Sequence, residues 1–191
     1  MVSHRLQTGF LLDEQWHLLR GEMETTKRPA LLALARVLAN AATSYAIIGG
    51  VALQMHQEEP RTTLDIEVAV RDLDALPSAE LEAAGFRRTG RFAHSENRQG
   101  PAGVPVQFTD DPALGPALEH AIEIEVEDIR LRVIARPDVL HKKLRAGTDP
   151  ARRRSKRLQD LADAQALLEQ APELRAELNE AERETLDSLP K

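Results

Sequence analysis

Two acidic side chains at alternate positions are the strongest sign of chemistry in this sequence. Asp65 and Glu67 stand on either side of Ile66, at the start of an apolar run. In a β-strand, residues i and i+2 point to the same face of the sheet, so the two carboxylates are expected side by side. Two like charges this close repel each other unless a cation lies between them. The pair predicts a divalent metal site, although two such carboxylates can also simply face solvent.

A glycine pair stands upstream of these acids. The apolar run Tyr45–Ile48 ends in Gly49-Gly50, and a helical pattern begins at Val51, with His56 expected on the surface of that helix. Glycine lets a phosphate group approach the backbone, and the free N–H groups and dipole of a helix N-terminus favour negative charge. A glycine pair at the end of a strand is also a common turn. It therefore indicates an anion site only in combination with the acids.

Composition limits the class of protein. The 191 residues fit one domain, or one domain with a helical appendage. A hydrophobic content of 42% with only 3% aromatic residues predicts an aliphatic core. The formal net charge of −6 argues against a globally basic surface for nucleic acid and leaves a local basic patch open. Because the chain has no cysteine, it forms no disulfide and no thiolate metal site.

Targeting signals are missing from the sequence. No apolar run approaches the ~20 residues that a membrane-spanning helix needs, and the first ten residues lack the apolar core of a signal peptide. We expect a cytoplasmic protein with no membrane partner.

Helices and strands that could position the acids alternate along the chain. Helices are predicted over residues 29–42, after Pro137 and from Ser155, and strands over residues 45–48, 64–70 and 104–109. Residues 122–126 and 131–135 form a predicted hairpin. This order predicts an α+β fold, with an N-terminal extension at 1–28, a core at 29–147 and C-terminal helices packed on the core at 148–191.

Two arginine-rich regions could meet an anionic partner. One is a predicted flexible hairpin or loop that carries Arg87, Arg88, Arg91 and Arg98, and the other spans residues 152–157. Most such regions are only solvated. Beside a nucleotide site, they could instead contact phosphate or RNA.

Four motifs in order resemble the polymerase-β-like nucleotidyltransferase superfamily. They are the glycine pair, an R-x-T-x-D-x-E strand, a P-D-x-L-x-x-K-L helix and a K-R-L-Q-D-L-A-D helix, all within about residues 31–168. The chain is most similar to small bacterial nucleotidyltransferase-like proteins related to toxins of abortive-infection and type IV toxin–antitoxin systems. The resemblance implies a mixed β-sheet flanked by helices, with a C-terminal helical segment.

The resemblance also implies roles for individual residues. Asp65 and Glu67 are the implied catalytic acids and ligands of Mg²⁺. The residues implied to bind the nucleotide are Gly49, Gly50, Arg61, Thr63 and Lys143. Asp160 and Asp163 match acids of the family's following helix, and ion pairing with the Arg152–Arg157 segment explains them equally well.

Two departures from the family pattern bear on activity. Glu67 stands where the family commonly has Asp, and Gln107 stands where a third carboxylate is expected. An amide cannot act as a general base and binds Mg²⁺ weakly. Asp110 or Asp111, in the turn beyond, is the alternative source of a third acid.

Three hypotheses follow. The first is a Mg²⁺-dependent enzyme that transfers NMP from an NTP to tRNA, another RNA or a protein, and that acts as a toxin with a partner antitoxin. The second is a catalytically degenerate fold that binds a nucleotide or a protein. The third is a small domain whose carboxylates face solvent.

Overall fold

A computed structural model describes residues 2–20, 27–126 and 129–189. Its centre is one sheet of seven strands in the order β3-β4-β5-β2-β1-β7-β6. The strands are β1 (Tyr45–Ile48), β2 (Ile66–Val70), β3 (Arg87–Phe92), β4 (Ser95–Gln99), β5 (Pro105–Thr109), β6 (Ile122–Val126) and β7 (Ile129–Val133).

The sheet is mixed, as the resemblance implied. Strand β1 is antiparallel to β2 and parallel to β7, and β2 is parallel to β5. Antiparallel hairpins, β3–β4 and β6–β7, form the two ends of the sheet. The predicted α+β fold is confirmed.

Helices cover the sheet and continue in the chain after its last strand. They are α1 (Val2–Leu19), α2 (Arg28–Asn40), α3 (Gly49–His56), α4 (Ser78–Ala83), α5 (Gly115–Glu119), α6 (Arg136–Thr148), α7 (Arg154–Gln170) and α8 (Glu180–Asp187). Helix α1 contacts α3, and α6 contacts both α7 and α8. No helix in the described ranges is both long and apolar enough to cross a membrane. The three-segment division of the chain stays a prediction.

The core is aliphatic, as composition predicted. All four residues of β1 are buried, and so are Val68, Ala69 and Val70 of β2. A burial of this extent on both faces is typical of the central strands of a covered sheet. Phe86 and Phe108 are the large aromatic side chains that are completely buried.

Three local predictions need correction. Strand β2 begins at Ile66 rather than residue 64, so Asp65 lies just before the strand. The arginine-rich region is a hairpin, β3–β4, as one alternative had it, but the Arg98 side chain is buried and pairs with Glu96 at 2.7 Å, so this arginine is not solvated. His56, predicted to lie on a helix surface, is buried and hydrogen-bonds the carbonyl oxygen of Ile134 at 2.8 Å.

Candidate active site

The glycine pair makes room for the side chains of the site. Gly49 begins α3 with φ +64, and a Cβ atom there would collide with the carboxylate of Glu67. A Cβ atom on Gly50 would collide with the Thr63 side chain. Positive φ favours glycine at residue 49 and close packing favours it at both positions, so the neighbouring side chains account for the pair even before any phosphate is considered.

The two acids of the predicted metal site lie at the N-terminal end of β2. Asp65 is exposed, and its Oδ1 accepts a hydrogen bond of 3.0 Å from the Thr63 hydroxyl. Glu67 is half-buried, and its Oε1 lies 3.5 Å from Nζ of Lys142. Ile66 between them is completely buried, as the alternation predicted. The Lys142 contact was not predicted from the sequence.

A buried acid and a buried lysine hold the segment that leads to Asp65. The N–H of Thr63 donates to Oδ1 of Asp13 at 3.2 Å, and its carbonyl oxygen accepts from Nζ of Lys27 at 2.8 Å. Asp13 and Lys27 also pair with each other, and we call this pair the Thr63 clasp. Burial lowers the pKa of Lys27 to about 7, and the charge of Asp65 opposes that shift.

Motif reasoning missed the Thr63 clasp because Asp13 and Lys27 lie in the predicted N-terminal extension. One signal was present in the sequence. Asp13 follows Leu6 by seven residues and Phe10 by three, so all three share one face of α1. Leu6 and Phe10 are buried. An acid on an apolar helix face predicts a buried partner.

Lys143 lies in a buried ion network. Its Nζ donates to Asp160 at 2.7 Å and to Asp163 at 2.8 Å. Arg61 holds Asp163 through two hydrogen bonds of 2.9 and 2.8 Å. Arg152 pairs with Asp160 at 3.0 Å, which is the ion pairing considered for that acid. Arg61 and Lys143 therefore reach the site with their charges already compensated.

The charges of this network shift its pKa values in opposite directions. Burial by itself raises the pKa of Asp163, but the Arg61 hydrogen bonds and the Lys143 charge outweigh it, so the pKa falls below 3.8. The hydrogen bond to Asp163 raises the pKa of Arg61 above its ordinary value, against the effect of burial. Both groups are charged at neutral pH.

One cleft of about 350 Å³, here called the site cleft, brings most of the predicted residues together. Those lining it are Gly50, Arg61, Thr63, Asp65, Glu67 and Lys143. Gly49 lies beneath the Glu67 carboxylate. Residues more than 90 positions apart in the sequence thus line one space, from Gly50 to Lys143.

The site cleft also contains uncompensated cations. Arg153 and Lys156 are exposed and line the cleft at the start of α7. Neither has an ion pair within the part of the chain that the structure describes. The first turn of α7 has no acidic residue. Since a helix N-terminus already favours negative charge, these cations add to a positive field that attracts an anion.

Gln107 lies where the third carboxylate of the site was expected. It is in register with Glu67 on the neighbouring parallel strand β5, so their side chains share one face of the sheet. The acids in the turn beyond have other partners: Asp110 pairs with His94 at 3.1 Å, and Asp111 pairs with Arg145 at 2.6 Å. In the described ranges, no three His, Cys, Asp or Glu side chains gather as a metal site.

The ligand atoms fit a metal that is shared with a nucleotide. Two carboxylates and one amide oxygen are few ligands for a bare divalent cation. Mg²⁺ typically takes one or two carboxylates, several waters and substrate phosphates. Asp65 and Glu67 match that pattern because the cations of the site cleft can hold the phosphates beside them.

Comparison with known proteins supplies a family. The model of the nucleotidyl transferase AbiEii toxins of type IV toxin–antitoxin systems matches residues 32–190. A comparison with curated proteins gives no match.

Solved structures supply the fold. The chain is similar to an antigenic nucleotidyltransferase-like protein from Paracoccidioides brasiliensis, with 18% identity and a TM-score of 0.53 over 85% of this chain and 93% of that chain. The lincosamide antibiotic adenylyltransferase LnuA, solved with lincomycin bound, gives 13% identity and a TM-score of 0.53 over 75% and 96%. The Megavirus polyadenylate synthase gives 15% identity and a TM-score of 0.51 over 88% of this chain and 34% of that chain. These neighbours have the polymerase-β-like nucleotidyltransferase fold.

Proposed function

Because the chain belongs to the family of nucleotidyl transferase AbiEii toxins of type IV toxin–antitoxin systems, we propose that it is a Mg²⁺-dependent nucleotidyltransferase. It transfers NMP from an NTP to a hydroxyl group of RNA or of a protein. The proposal includes the toxin role, a partner antitoxin, and action in the cytoplasm, where its nucleotide substrate is found.

One observation carries the proposal: two acids that are proposed to bind metal and two exposed cations line the same cleft. Asp65 and Glu67 lie at one wall, and Arg153 and Lys156 at another. Phosphoryl-type transfer gains most from positioning and from neutralising charge that develops on phosphate oxygens. A cleft with both groups supplies both requirements.

Each set of residues has a distinct part in this chemistry. Asp65 and Glu67 would hold Mg²⁺, which neutralises phosphate charge when bound. Arg153 and Lys156 attract the triphosphate. Arg61 and Lys143 fix the acids of α7 and thereby the wall of the cleft. Because Asp160 and Asp163 already pair with these two cations, Arg61 and Lys143 act on a phosphate only indirectly, by shaping the cleft.

The transfer itself exchanges two bonds. The acceptor hydroxyl oxygen forms a bond to the α-phosphorus of the NTP, the bond from that phosphorus to the bridging oxygen breaks, and pyrophosphate leaves with the electron pair. The hydroxyl proton is released to water, because the amide of Gln107 cannot accept it.

The experiment is incubation with each α-labelled NTP, Mg²⁺ and total tRNA, followed by separation of RNA from protein. Label is expected in one of the two acceptor fractions with the wild type, and its loss is expected with Asp65→Ala. Asp72→Ala is a matched control, because Asp72 is an exposed acid outside the site cleft. Absence of label with the wild type, or equal labelling by Asp65→Ala, overturns the proposal.

A second candidate function follows from Gln107 itself. With an amide in register with Glu67, the fold could bind a nucleotide or a protein partner without turnover. Calorimetry with Mg²⁺ and each NTP separates the two candidates. Tight binding without any transfer supports the degenerate module, and measurable turnover rejects it.

A further inference from the structure

A second cleft, which we call the α6–α8 cleft, lies between helices α6 and α8. It encloses about 470 Å³, and residues 113–117, at the start of α5, form its third side. It shares no lining residue with the site cleft. Its volume is within the range of roughly 300–1,000 Å³ that is typical of sites for small molecules. The proposed transfer reaction makes no use of it.

Much of the lining of the α6–α8 cleft is apolar. The lining residues without polar side-chain atoms are Ala113, Leu114, Pro116, Ala117, Leu144 and Ala181. Leu114, Ala117 and Leu144 are buried members of the hydrophobic core, so packing fixes this part of the lining. Such a surface favours the hydrocarbon part of a ligand, because contact with it removes apolar area from water.

Most of the charged groups that line the cleft already have partners. The pairs are His141–Glu182 at 2.8 Å, Lys142–Glu67 at 3.5 Å and Arg145–Asp111 at 2.6 Å. Glu182 also accepts a hydrogen bond from the N–H of Asn179, within the capping box of α8. These contacts hold the helices around the cleft, and they leave little unbalanced charge there.

Asp138 is the exception among the charged groups of the lining. Its side chain is only 16% exposed, and in the described ranges no group donates a hydrogen bond to its carboxylate. Nδ1 of His120 lies 4.0 Å away, beyond hydrogen-bond distance, and the His120 side chain is 67% exposed. Burial raises the pKa of Asp138, against the charges of His120 and His141. A carboxylate that is sheltered from water without a donor gains from a cation that enters the cleft.

The position of Asp138 on α6 explains its charge but not its missing partner. It lies in the first turn of the helix, where the helix dipole favours an acid. An acid that caps a helix accepts a hydrogen bond from the helix backbone. Asp138 makes no such bond within the part of the chain that the structure describes. The carboxylate is thus stabilised as an anion and still has its oxygens open to a ligand.

Two cations on the same helix limit the ligand to one positive charge. Lys142 and Arg145 also line the cleft. They follow Asp138 by four and seven residues, so they lie about 6 and 10 Å further along the axis of α6. A second ammonium group on a ligand would approach these cations and be repelled, whereas a hydrocarbon chain would not.

We propose that the α6–α8 cleft binds a small aliphatic amine as a monocation. Its ammonium group pairs with Asp138, and its hydrocarbon chain lies on the apolar lining. The site is additional to the proposed function, and its occupation does not depend on transfer taking place.

Titration of the isotope-labelled full chain with hexylamine at neutral pH, followed by NMR, tests the site. We expect saturable shifts of the amide signals of residues 138, 145 and 182. Asp138→Asn retains the shape of the side chain without its charge, and should bind hexylamine about ten-fold more weakly, since a hydrogen bond to a charged group is worth about 1.5–3 kcal/mol. Hexanol, which lacks the charge, should bind the wild type about ten-fold more weakly than hexylamine. Hexamethylenediamine, with its second charge, should also bind more weakly than hexylamine.

Two further variants show whether the effect belongs to this cleft. Glu184→Gln is the matched control, because Glu184 is an exposed acid on α8 outside the lining, and it should bind hexylamine as the wild type does. Ala181→Leu narrows the cleft and should weaken the binding of hexylamine and hexanol alike. The proposal is overturned if the wild type shows no saturable shift, if Asp138→Asn binds hexylamine equally well, or if hexanol or the diamine binds as tightly as hexylamine.

Discussion

Glu67 on β2 and Gln107 on β5 are direct neighbours in register across two parallel strands. A carboxylate at residue 107 would therefore lie beside the two acids of the proposed metal site. We predict that Gln107→Glu increases the transfer rate at least about ten-fold, because general base catalysis typically contributes ~10²–10⁴-fold. Asn97→Asp is the control, since Asn97 is paired with Gln107 one strand further away. Equal rates for both variants and the wild type would contradict the expected role of this position.

Gly49 tests whether the glycine pair makes room for the acids. Gly49→Ala introduces a Cβ atom at φ +64 and against the Glu67 carboxylate. We expect a loss of about 1–3 kcal/mol in the free energy of unfolding, together with weaker nucleotide binding. Chemical denaturation measures the first effect. Gly115→Ala, where a Cβ atom meets nothing within 4 Å, should change stability by less than about 1 kcal/mol.

Two adjacent lysines are predicted to have different roles. Lys143→Met leaves Asp160 and Asp163 without their shared buried partner, and should cost about 3–5 kcal/mol of stability. Lys142→Met removes a single contact to the half-buried Glu67 and should cost about 1 kcal/mol or less. Denaturant titration of the two variants gives the comparison. A similar loss in both would show that the buried network does not stabilise the fold.

The Thr63 clasp can be removed without leaving a buried charge. The double variant Asp13→Leu/Lys27→Met replaces a buried ion pair by apolar side chains, an exchange that is often neutral for stability. It also removes both hydrogen bonds to the Thr63 backbone. We predict a folded protein that is less stable by about 1–3 kcal/mol, because the Thr63 N–H and carbonyl lose their partners. Its affinity for Mg²⁺–NTP, measured by calorimetry, should fall several-fold. Unchanged affinity in a folded variant would show that the clasp does not position Asp65.

His56 should make stability depend on pH. Burial lowers the pKa of His56 below 6.5, and the charges of Arg136 and Arg5 lower it further. The hydrogen bond to Ile134 opposes this shift but is the smaller effect. The unfolded chain therefore takes up a proton at higher pH than the folded chain does, and the free energy of unfolding falls as pH decreases below 6.5.

Denaturation at several pH values measures this slope. His56→Gln retains a donor for Ile134 without a titrating group, and should flatten the slope between pH 6.5 and about 5. His4→Gln, at an exposed position, should retain the wild-type slope. A slope that is the same in all three proteins would assign the pH dependence to other groups.

Local patterns were enough to predict several strands of the sheet and the place of its acids, whereas the mixed sheet itself followed from the family resemblance. Alternation around Ile66 identified strand β2, and the glycine pair identified the β1–α3 junction. The register of β2 with β5 depends on a crossover through the β3–β4 hairpin, so only the motif order pointed to Gln107 as a neighbour of Glu67. Motif order carries more long-range information here than periodicity does.

Apart from the pairing of Asp160 with Arg152, side-chain partners were beyond the reach of sequence patterns. Lys143 and Lys142 are adjacent in the sequence, yet one faces Asp160 and Asp163 and the other faces Glu67. Which acid each lysine faces depends on the orientation of α6 about its own axis relative to α7 and the sheet. The sequence pattern also did not show that Arg98 is buried, where it donates a hydrogen bond to Glu96 two residues away. The number of basic residues in a segment therefore overestimates how many of them are free to bind an anion.

The most direct test of the metal–nucleotide site is Mn²⁺ binding followed by electron paramagnetic resonance, with and without a non-hydrolysable NTP. We predict that the wild type binds Mn²⁺ much more tightly when the nucleotide is present, and that Asp65→Asn/Glu67→Gln loses this nucleotide-dependent binding while its melting temperature without ligand stays within a few degrees of the wild-type value. Equal Mn²⁺ binding by the wild type and the double variant would contradict the assignment of Asp65 and Glu67 as the metal ligands.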